Sequence, residues 1–458
     1  MKYAYSTCFR KMAESEKAES IADLRSSKRN MAASQEPLEL APDIVLAKNI
    51  FSELAEKTGG RSGITRASYG EGEQLAHDII RREGNRLGLN VETDAACNLY
   101  VTFPGEMPNG RIIIGSHLDS VPRGGNFDGA AGVLCGLSVL AGLARAAAKP
   151  RRDITLMAIR AEESTWFPAS YIGSRAAFGL LTRNELDEVE RTSDGLALGD
   201  AIAAAGGNAQ LLREGKAHLS PVEIGQFIEP HIEQGPCLVM KNAPVGVVTG
   251  IRGSLRYRSA SCRGCYAHSG ATPRRARRDA VRATAALVMA MDKAWDEAEA
   301  CGDDLAITFG KVFTDPEAHA FSKVAGRVEF SFDARSESRR TLDKVEDELL
   351  RRIERISECH SVRFDLGPRT GSEPAAMSGD IVAALQSSCV AEGVPSIAMP
   401  CGAGHDAAVF AQMGVPSGML FIRNENGSHN PNEHMEMEDF AVAARVLMRI
   451  CVGASRHD

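Results

Sequence analysis

The sequence lacks the marks of several protein classes. No apolar run approaches the roughly 20 residues that a membrane-spanning helix requires, so no span is expected. The N-terminal stretch MKYAYSTCFRKMAESEKAESIADLRSSKRN has no apolar core segment of the kind a secretory signal carries. Positive charge is in deficit: 53 Lys and Arg face 60 Asp and Glu, for a formal net charge of -7. That leaves no broad basic surface for nucleic acid, although a locally positive site can still hold a small anionic substrate. The 11 cysteines form a single C-x-x-C step, Cys262 to Cys265, with no second pair to complete a zinc knuckle. A disulfide framework is not expected in a chain of 458 residues, and free thiols fit the reducing cytoplasm, the expected location.

What is present is the composition of a soluble globular protein, 44% hydrophobic and 25% charged. The length suits two or three domains. Residues 1–37 are polar and rich in Ser, Lys and Glu, and are expected to form a poorly ordered extension. Beyond them, helical periodicity marks IVLAKNIFSELAEKTG and GEQLAHDIIRREGNRLG. NLYVTFPG and GRIIIGSHLDSVP predict strands, the continuous run Ile112 to Ile114 indicating a buried one. A helix over GAAGVLCGLSVLAGLARAAAK and a strand over DITLMAIRAEE continue the alternation. Strand–helix–strand order of this kind predicts an α/β fold, a mixed sheet flanked by helices.

Around Gly246 the texture changes to adjoining strands with a helix from Asp279 to about Ala300. Strands over DLAITFGKVFT and GRVEFSFDARS and a helix over TLDKVEDELLRRIERISE follow. After His360 the α/β texture returns, ending in SGMLFIRN and the helix DFAVAARVLMRICV. The expected layout is a discontinuous α/β domain over residues 38–245 and 364–458, interrupted by a smaller α+β sandwich over residues 246–363.

Four separated segments carry metal-ligand side chains at or just beyond predicted strand ends: GSHLDSVPRGGNFDGAAGV with His117, Asp119 and Asp128; AEES with Glu162 and Glu163; PHIEQGP with His231; and GSHNPNEH with His429. The carboxyl edge of an open α/β sheet forms its crevice. Each residue alone has a bland reading, as a helix cap, a solvated turn or a structural strand-end group. Together, in segments otherwise apolar and Gly-rich, so many ionisable groups near a core are costly unless a cation compensates them. Imidazoles combined with carboxylates suit zinc, manganese or cobalt better than calcium or magnesium.

From about Ile44 onward the sequence resembles the amidase, hydantoinase and carbamoylase branch of the M20 metallopeptidases. The resemblance is carried in order by GSHLDSVPRGGNFDGAAGV, HIEQGP, HSGATP, FDARS, GAGHDA and SHNPNE. That branch includes N-carbamoyl-L-amino-acid hydrolases, beta-ureidopropionases and allantoate amidohydrolases, and it supplies a His at the position of His231 where many M20 peptidases supply an Asp. The resemblance implies two divalent metal ions, zinc or manganese with cobalt or nickel as alternatives, bridged by Asp128. His117 and His231 would complete one site, Glu163 and His429 the other. Glu162 would be the general base and Asp119 the partner that orients His117. His268 would stabilise the oxyanion from a neighbouring subunit, and Arg335 would grip the substrate carboxylate. Gln234 and His405 would bind the ureido or carboxylate end. The insert would act as lid and homodimer interface, and the substrate would be a small carboxylate-bearing ureido or amide compound.

Two departures stand out. In HAFSKVAG, Ser322 occupies a position where the family offers a substrate-binding Asn. In FIRNENGSH, Arg423 and Asn424 replace small residues, and Arg423 is either a pocket cation or a surface charge. Competing expectations are an M20-type di- or aminopeptidase, disfavoured by His231, GAGHDA and SHNPNE, and a non-catalytic binding protein, disfavoured because no ligand is missing.

Overall fold

The computed structural model describes residues 40–453; the extension expected over residues 1–37 lies outside them. Alternate side chains of a strand point to opposite faces, and in the run Ile112 to Ile114, Ile114 enters one apolar core while Ile113 enters another. A strand apolar on both faces must be covered on both. Helices Ile44–Thr58, Ala130–Arg145 and Met437–Gly453 supply one cover. Helix Asp406–Gln412 contributes to the other, where Phe227 stacks on Phe410 with ring centroids 3.7 Å apart. The fold is α/β, as expected.

The large sheet has nine strands. Met107–His117 pairs in parallel with Arg152–Ile159 and Ile224–Ile232, and Ile224–Ile232 pairs in parallel with Ser417–Ile422. Those four strands therefore end at the same edge. Leu99–Phe103 and Asn90–Thr93 extend the sheet antiparallel on one side. Val245–Ile251, Ser396–Cys401 and Ala375–Ala376 complete it on the other.

A second sheet of six strands is built entirely between Gly253 and Ser372, with Arg327–Ser336 and Gly253–Arg263 paired at its centre. Burial alternates strictly along Arg327–Ser336. Its inward residues, Val328, Phe330, Phe332 and Ala334, pack against Leu287 and Met291 of helix Ala280–Ala300 and Leu342, Val345 and Leu349 of helix Arg339–His360. This sheet has its own core.

The changeover is displaced from Gly246 and Arg363. Val247 and Val248 enter opposite cores of the large sheet, so Val245–Ile251 belongs there. Arg363–Asp365 and Arg369–Ser372 instead pair with Gly253–Arg263. The exposed strand Arg369–Ser372 has no apolar alternation to reveal it.

Helix Ala130–Arg145 is buried at every residue from Ala130 to Leu143. It lies so close to the sheet that a Cβ on Gly132 would sit 2.0 Å from the Pro230 carbonyl oxygen and 2.6 Å from the Ser116 side chain. Glycine costs helix propensity there, and the approach allows nothing larger. Gly132→Ala is therefore expected to destabilise the protein by about 1–3 kcal/mol through overpacking, read as a lower Tm in thermal unfolding. An unchanged Tm would mean that the helix can retreat from the sheet.

Candidate metal centre

The shared edge of the four parallel strands collects ionisable side chains, as open α/β sheets do. His117 ends Met107–His117, and His231 is the penultimate residue of Ile224–Ile232. Glu162 and Glu163 follow Arg152–Ile159, His429 follows Ser417–Ile422, and Asp128 precedes Ala130–Arg145. Oδ1 of Asp128 lies 3.2 Å from His231 Nε2 and 3.9 Å from His117 Nε2. Its Oδ2 lies 3.3 Å from His429 Nε2, itself 3.4 Å from Glu163 Oε1. One carboxylate thus belongs to two groups, His117–Asp128–His231 and Asp128–Glu163–His429, whose ligand atoms each lie within 4.8 Å of one another.

The donor geometry fits cations. Nδ1 of His117 lies 3.1 Å from the Asp119 carbonyl, and Nδ1 of His231 lies 2.9 Å from that of Ile232. With those nitrogens protonated, the two Nε2 lone pairs face each other across 3.4 Å. Imidazole and carboxylate in this mix are ligands for zinc, manganese and their neighbours.

Electrostatics follow from the crowding. Burial would push the His117 imidazole down, but the carboxylates around it, Asp119 foremost, hold it well above its ordinary value. Burial opposes ionisation of Asp128 too, yet His231 and His429 keep it well below the usual carboxylate range. His429, hydrogen-bonded to Asp128 and Glu163, is pushed up to about 10. Glu162 belongs to neither ligand group. Its Oε2 stands 4.0 Å from His117 Nε2, and burial, with Glu163 adding, raises it well above the ordinary value.

Asp119 does more than orient an imidazole. Its Oδ1 lies 3.3 Å from His117 Nδ1 and accepts the Glu162 N–H at 3.1 Å. Its Oδ2 accepts the Glu163 N–H at 3.2 Å and the Ser68 hydroxyl at 2.6 Å. The glutamate loop is held from behind as well: Ala161, at φ 51, donates its N–H to Glu73, which is ion-paired with buried Arg160. A left-handed non-glycine residue persists where its surroundings over-determine it.

Of the expected substrate contacts, Gln234 lies on the cluster, its Nε2 3.3 and 3.1 Å from the two Asp128 oxygens. His405 is buried with its ring 4.3 Å from that of His231, and neither of its nitrogens has a partner among the described residues. Arg335 donates to the Gly402 carbonyl at 2.7 Å and, with Gln234, lines a cavity of about 360 Å³. His268 and Ser322 are brought to each other but not to the cluster. His268 pairs with Lys323 in a two-stranded antiparallel ladder between segments distant in sequence, Ser269 donates its N–H to the Ser322 carbonyl at 2.9 Å, and both His268 and Ser322 are exposed. Arg423 is not a pocket cation: it grips Asp439 through Nε at 2.7 Å and Nη2 at 3.0 Å, and Asn242 at 3.0 Å, bracing the C-terminal helix.

Two residues escaped the sequence reading. Glu433, inside the GSHNPNEH run, is buried and accepts the N–H groups of Phe127 at 2.7 Å and Asp128 at 3.1 Å. Its place four residues beyond His429 was the available signal. Buried Arg66 holds the same loop by donating to the Leu118 carbonyl at 2.7 Å and Asn126 Oδ1 at 3.1 Å, and no motif marks it.

Residues 113–452 match the family described as Peptidase family M20/M25/M40. Over 399 residues the chain is 34% identical to an N-carbamoyl-L-amino acid amidohydrolase of Geobacillus stearothermophilus, covering 87% of this chain and 94% of that one. It is 32% identical over 390 residues to an allantoate amidohydrolase of Escherichia coli, covering 84% and 91%. A crystal structure of an amidase of the hydantoinase/carbamoylase family from Burkholderia multivorans superposes with a TM-score of 0.83 at 26% identity, covering 91% and 99%. The chain belongs to the M20/M25/M40 peptidase family, within its hydantoinase/carbamoylase amidase branch. It is a hydrolase of non-peptide C–N bonds. No helix among the described residues is long and apolar enough to cross a membrane.

The Arg423–Asp439 pair predicts that Arg423→Ala leaves KM for every substrate unchanged while lowering Tm, since buried Asp439 would lose its partner. A substrate-dependent rise in KM would return Arg423 to the pocket.

Proposed function

We propose that the protein is a dimetal-dependent amidohydrolase that cleaves the C–N bond of an N-carbamoyl amino acid or a related ureido acid such as allantoate. One observation carries the reading: Asp128 is common to two ligand groups, while Glu162 stands beside both and belongs to neither. His117, His231 and Asp128 would hold one ion, and Asp128, Glu163 and His429 the other, with zinc or manganese the suited metals. When bound, such ions polarise a scissile carbonyl and acidify water.

The chain's own groups do the rest. Glu162 Oε2 takes the proton of the attacking water and returns it to the leaving nitrogen. Asp119, which accepts the Glu162 N–H, keeps that carboxylate in reach. Arg335 receives the substrate carboxylate through Nη2, the guanidinium nitrogen that Asp333 and the Gly402 carbonyl leave free, and Gln234 and His405 hydrogen-bond the remaining polar end. A screen for ammonia release over carbamoyl amino acids, allantoate, ureidopropionate and dipeptides tests the reading; turnover of dipeptides alone would refute it. Glu162→Gln is expected to lower turnover by about 10²–10⁴-fold with metal content unchanged. By metal analysis after dialysis, His231→Ala and His429→Ala should each empty mainly one site, and Asp128→Ala both. Equal losses in all three would remove the bridge.

The segment between Gly253 and Ser372 acts, on this reading, as a lid and a homodimer interface. An apolar groove of about 700 Å³ supports it, running between helix Ala280–Ala300 and the strand Val312–Thr314. Val281, Met289, Val312 and Phe313 are exposed there. A contiguous apolar face on a soluble protein marks an interaction site, and a symmetric dimer is the commonest assembly. Pairing brings His268 to the partner's centre, which accounts for its exposure here. Mixing His268→Ala with Glu162→Gln subunits should then recover activity that neither homodimer has. Failure to recover after verified exchange would assign His268 to its own subunit.

A further inference from the structure

Arg423 is bound to Asp439, but a different arginine, Arg252, lines the cavity beside Arg335. Arg252 is the single residue linking Val245–Ile251 of the large sheet to Gly253–Arg263 of the small one. Its N–H donates to the Cys401 carbonyl at 3.0 Å, and the next carbonyl, Gly402, accepts from Arg335 Nη1 at 2.7 Å. The two arginines therefore straddle one loop, and both line the cavity of about 360 Å³ that also contains Gln234. Each guanidinium is oriented by a carboxylate on one edge. Nε and Nη2 of Arg252 bind Asp304, which is itself fixed by the Glu337 N–H at 2.9 Å, and Nε of Arg335 binds Asp333 at 3.0 Å.

Those contacts leave one terminal nitrogen of each guanidinium unused. Arg252 Nη1 and Arg335 Nη2 make no hydrogen bond among the described residues, and Arg252 Nη1 lies 3.9 Å from the place a Gly402 Cβ would take. The other carboxylate on the wall, Glu233, is engaged by the N–H groups of Cys237 at 2.8 Å and Leu238 at 2.6 Å. Among the charged side chains lining the cavity, those with a nitrogen left unbonded are thus the two guanidiniums. The cavity volume is at the small end of the ligand-site range. A ureido acid with one carboxylate satisfies Arg335 and leaves Arg252 idle, whereas a second acidic group makes a charge-assisted hydrogen bond with it.

We propose that Arg252 and Arg335 form a two-guanidinium subsite, so that the preferred substrates are ureido acids bearing a second acidic group, of the N-carbamoyl-aspartate or N-carbamoyl-glutamate type. This rests on the reading that the enzyme hydrolyses ureido acids. Arg335 holds the carboxylate common to all such substrates, and Arg252 reads the second one.

The test compares substrates equal in shape and unequal in charge: N-carbamoyl-L-aspartate against N-carbamoyl-L-asparagine, and N-carbamoyl-L-glutamate against N-carbamoyl-L-glutamine. For the wild-type enzyme with its metals, kcat/KM is expected to favour the acid of at least one pair by about 10- to 100-fold. In Arg252→Gln that acid-over-amide ratio falls toward one, while Arg335→Gln weakens acid and amide together. The ratio is the readout because a general loss of stability or activity lowers both members alike, and the wild-type ratio needs no variant at all. A wild-type ratio near one in both pairs, or a preference that survives in Arg252→Gln, overturns the subsite while hydrolysis of the carbamoyl amino acids upholds the ureido-acid reading. No turnover of any ureido acid overturns both.

Discussion

The structure is organised around a repulsion. Asp119, Asp128, Glu162 and Glu163 are buried within a few ångströms of one another and of three imidazoles at the edge of one sheet. Carboxylates gathered away from water repel one another and lose their hydration. Such a cluster persists only where its surroundings are rigid and its charges are offset. The rest of the large sheet supplies the rigidity. Four parallel strands bring the groups to one edge, a helix buried along its length backs them, and carboxylates without a role as ligands tie the loops together. Asp119 joins the histidine strand to the glutamate loop, and Glu433 joins the last loop to the one carrying Asp128.

Much of this was legible beforehand, and the reason is chemical. His117, Asp128, Glu163, His231 and His429 stand out because ionisable residues in apolar, Gly-rich surroundings have few bland explanations. Their position at strand ends follows from apolar runs such as Ile112 to Ile114, whose alternate residues enter two cores. The second sheet was legible from the strands read over GRVEFSFDARS and its neighbours, whose burial alternates along Arg327–Ser336.

The rest was not legible, for physical reasons. Arg66 and Glu433 act on backbone groups, and a residue that hydrogen-bonds main chain leaves no partner pattern in sequence. The role of Arg423 hung on which way one side chain points: Asp439, 16 residues on, claims it. Arg252 was overlooked for the complementary reason, because a single arginine between two strands announces nothing until the loop around Gly402 folds against it. The C-terminal limit of the second sheet was misplaced because Arg369–Ser372 is exposed throughout.

The reach of the Glu433 contact has a bearing on how the enzyme is made. Glu433 and Phe127, which it holds, are 306 residues apart, and His429 lies in the same late segment. A nascent chain that has emerged only as far as the second sheet already possesses His117, Asp128, Glu163 and His231. It has neither His429, which faces the second oxygen of the shared carboxylate, nor the Glu433 clamp on its loop. Contacts of such long separation close late and slowly, and domains emerging from the ribosome fold in order of synthesis. The cluster is therefore completed last, by the loop between the final strand and helix, and an interrupted chain carries four of its five grouped side chains without the clamp that fixes Asp128.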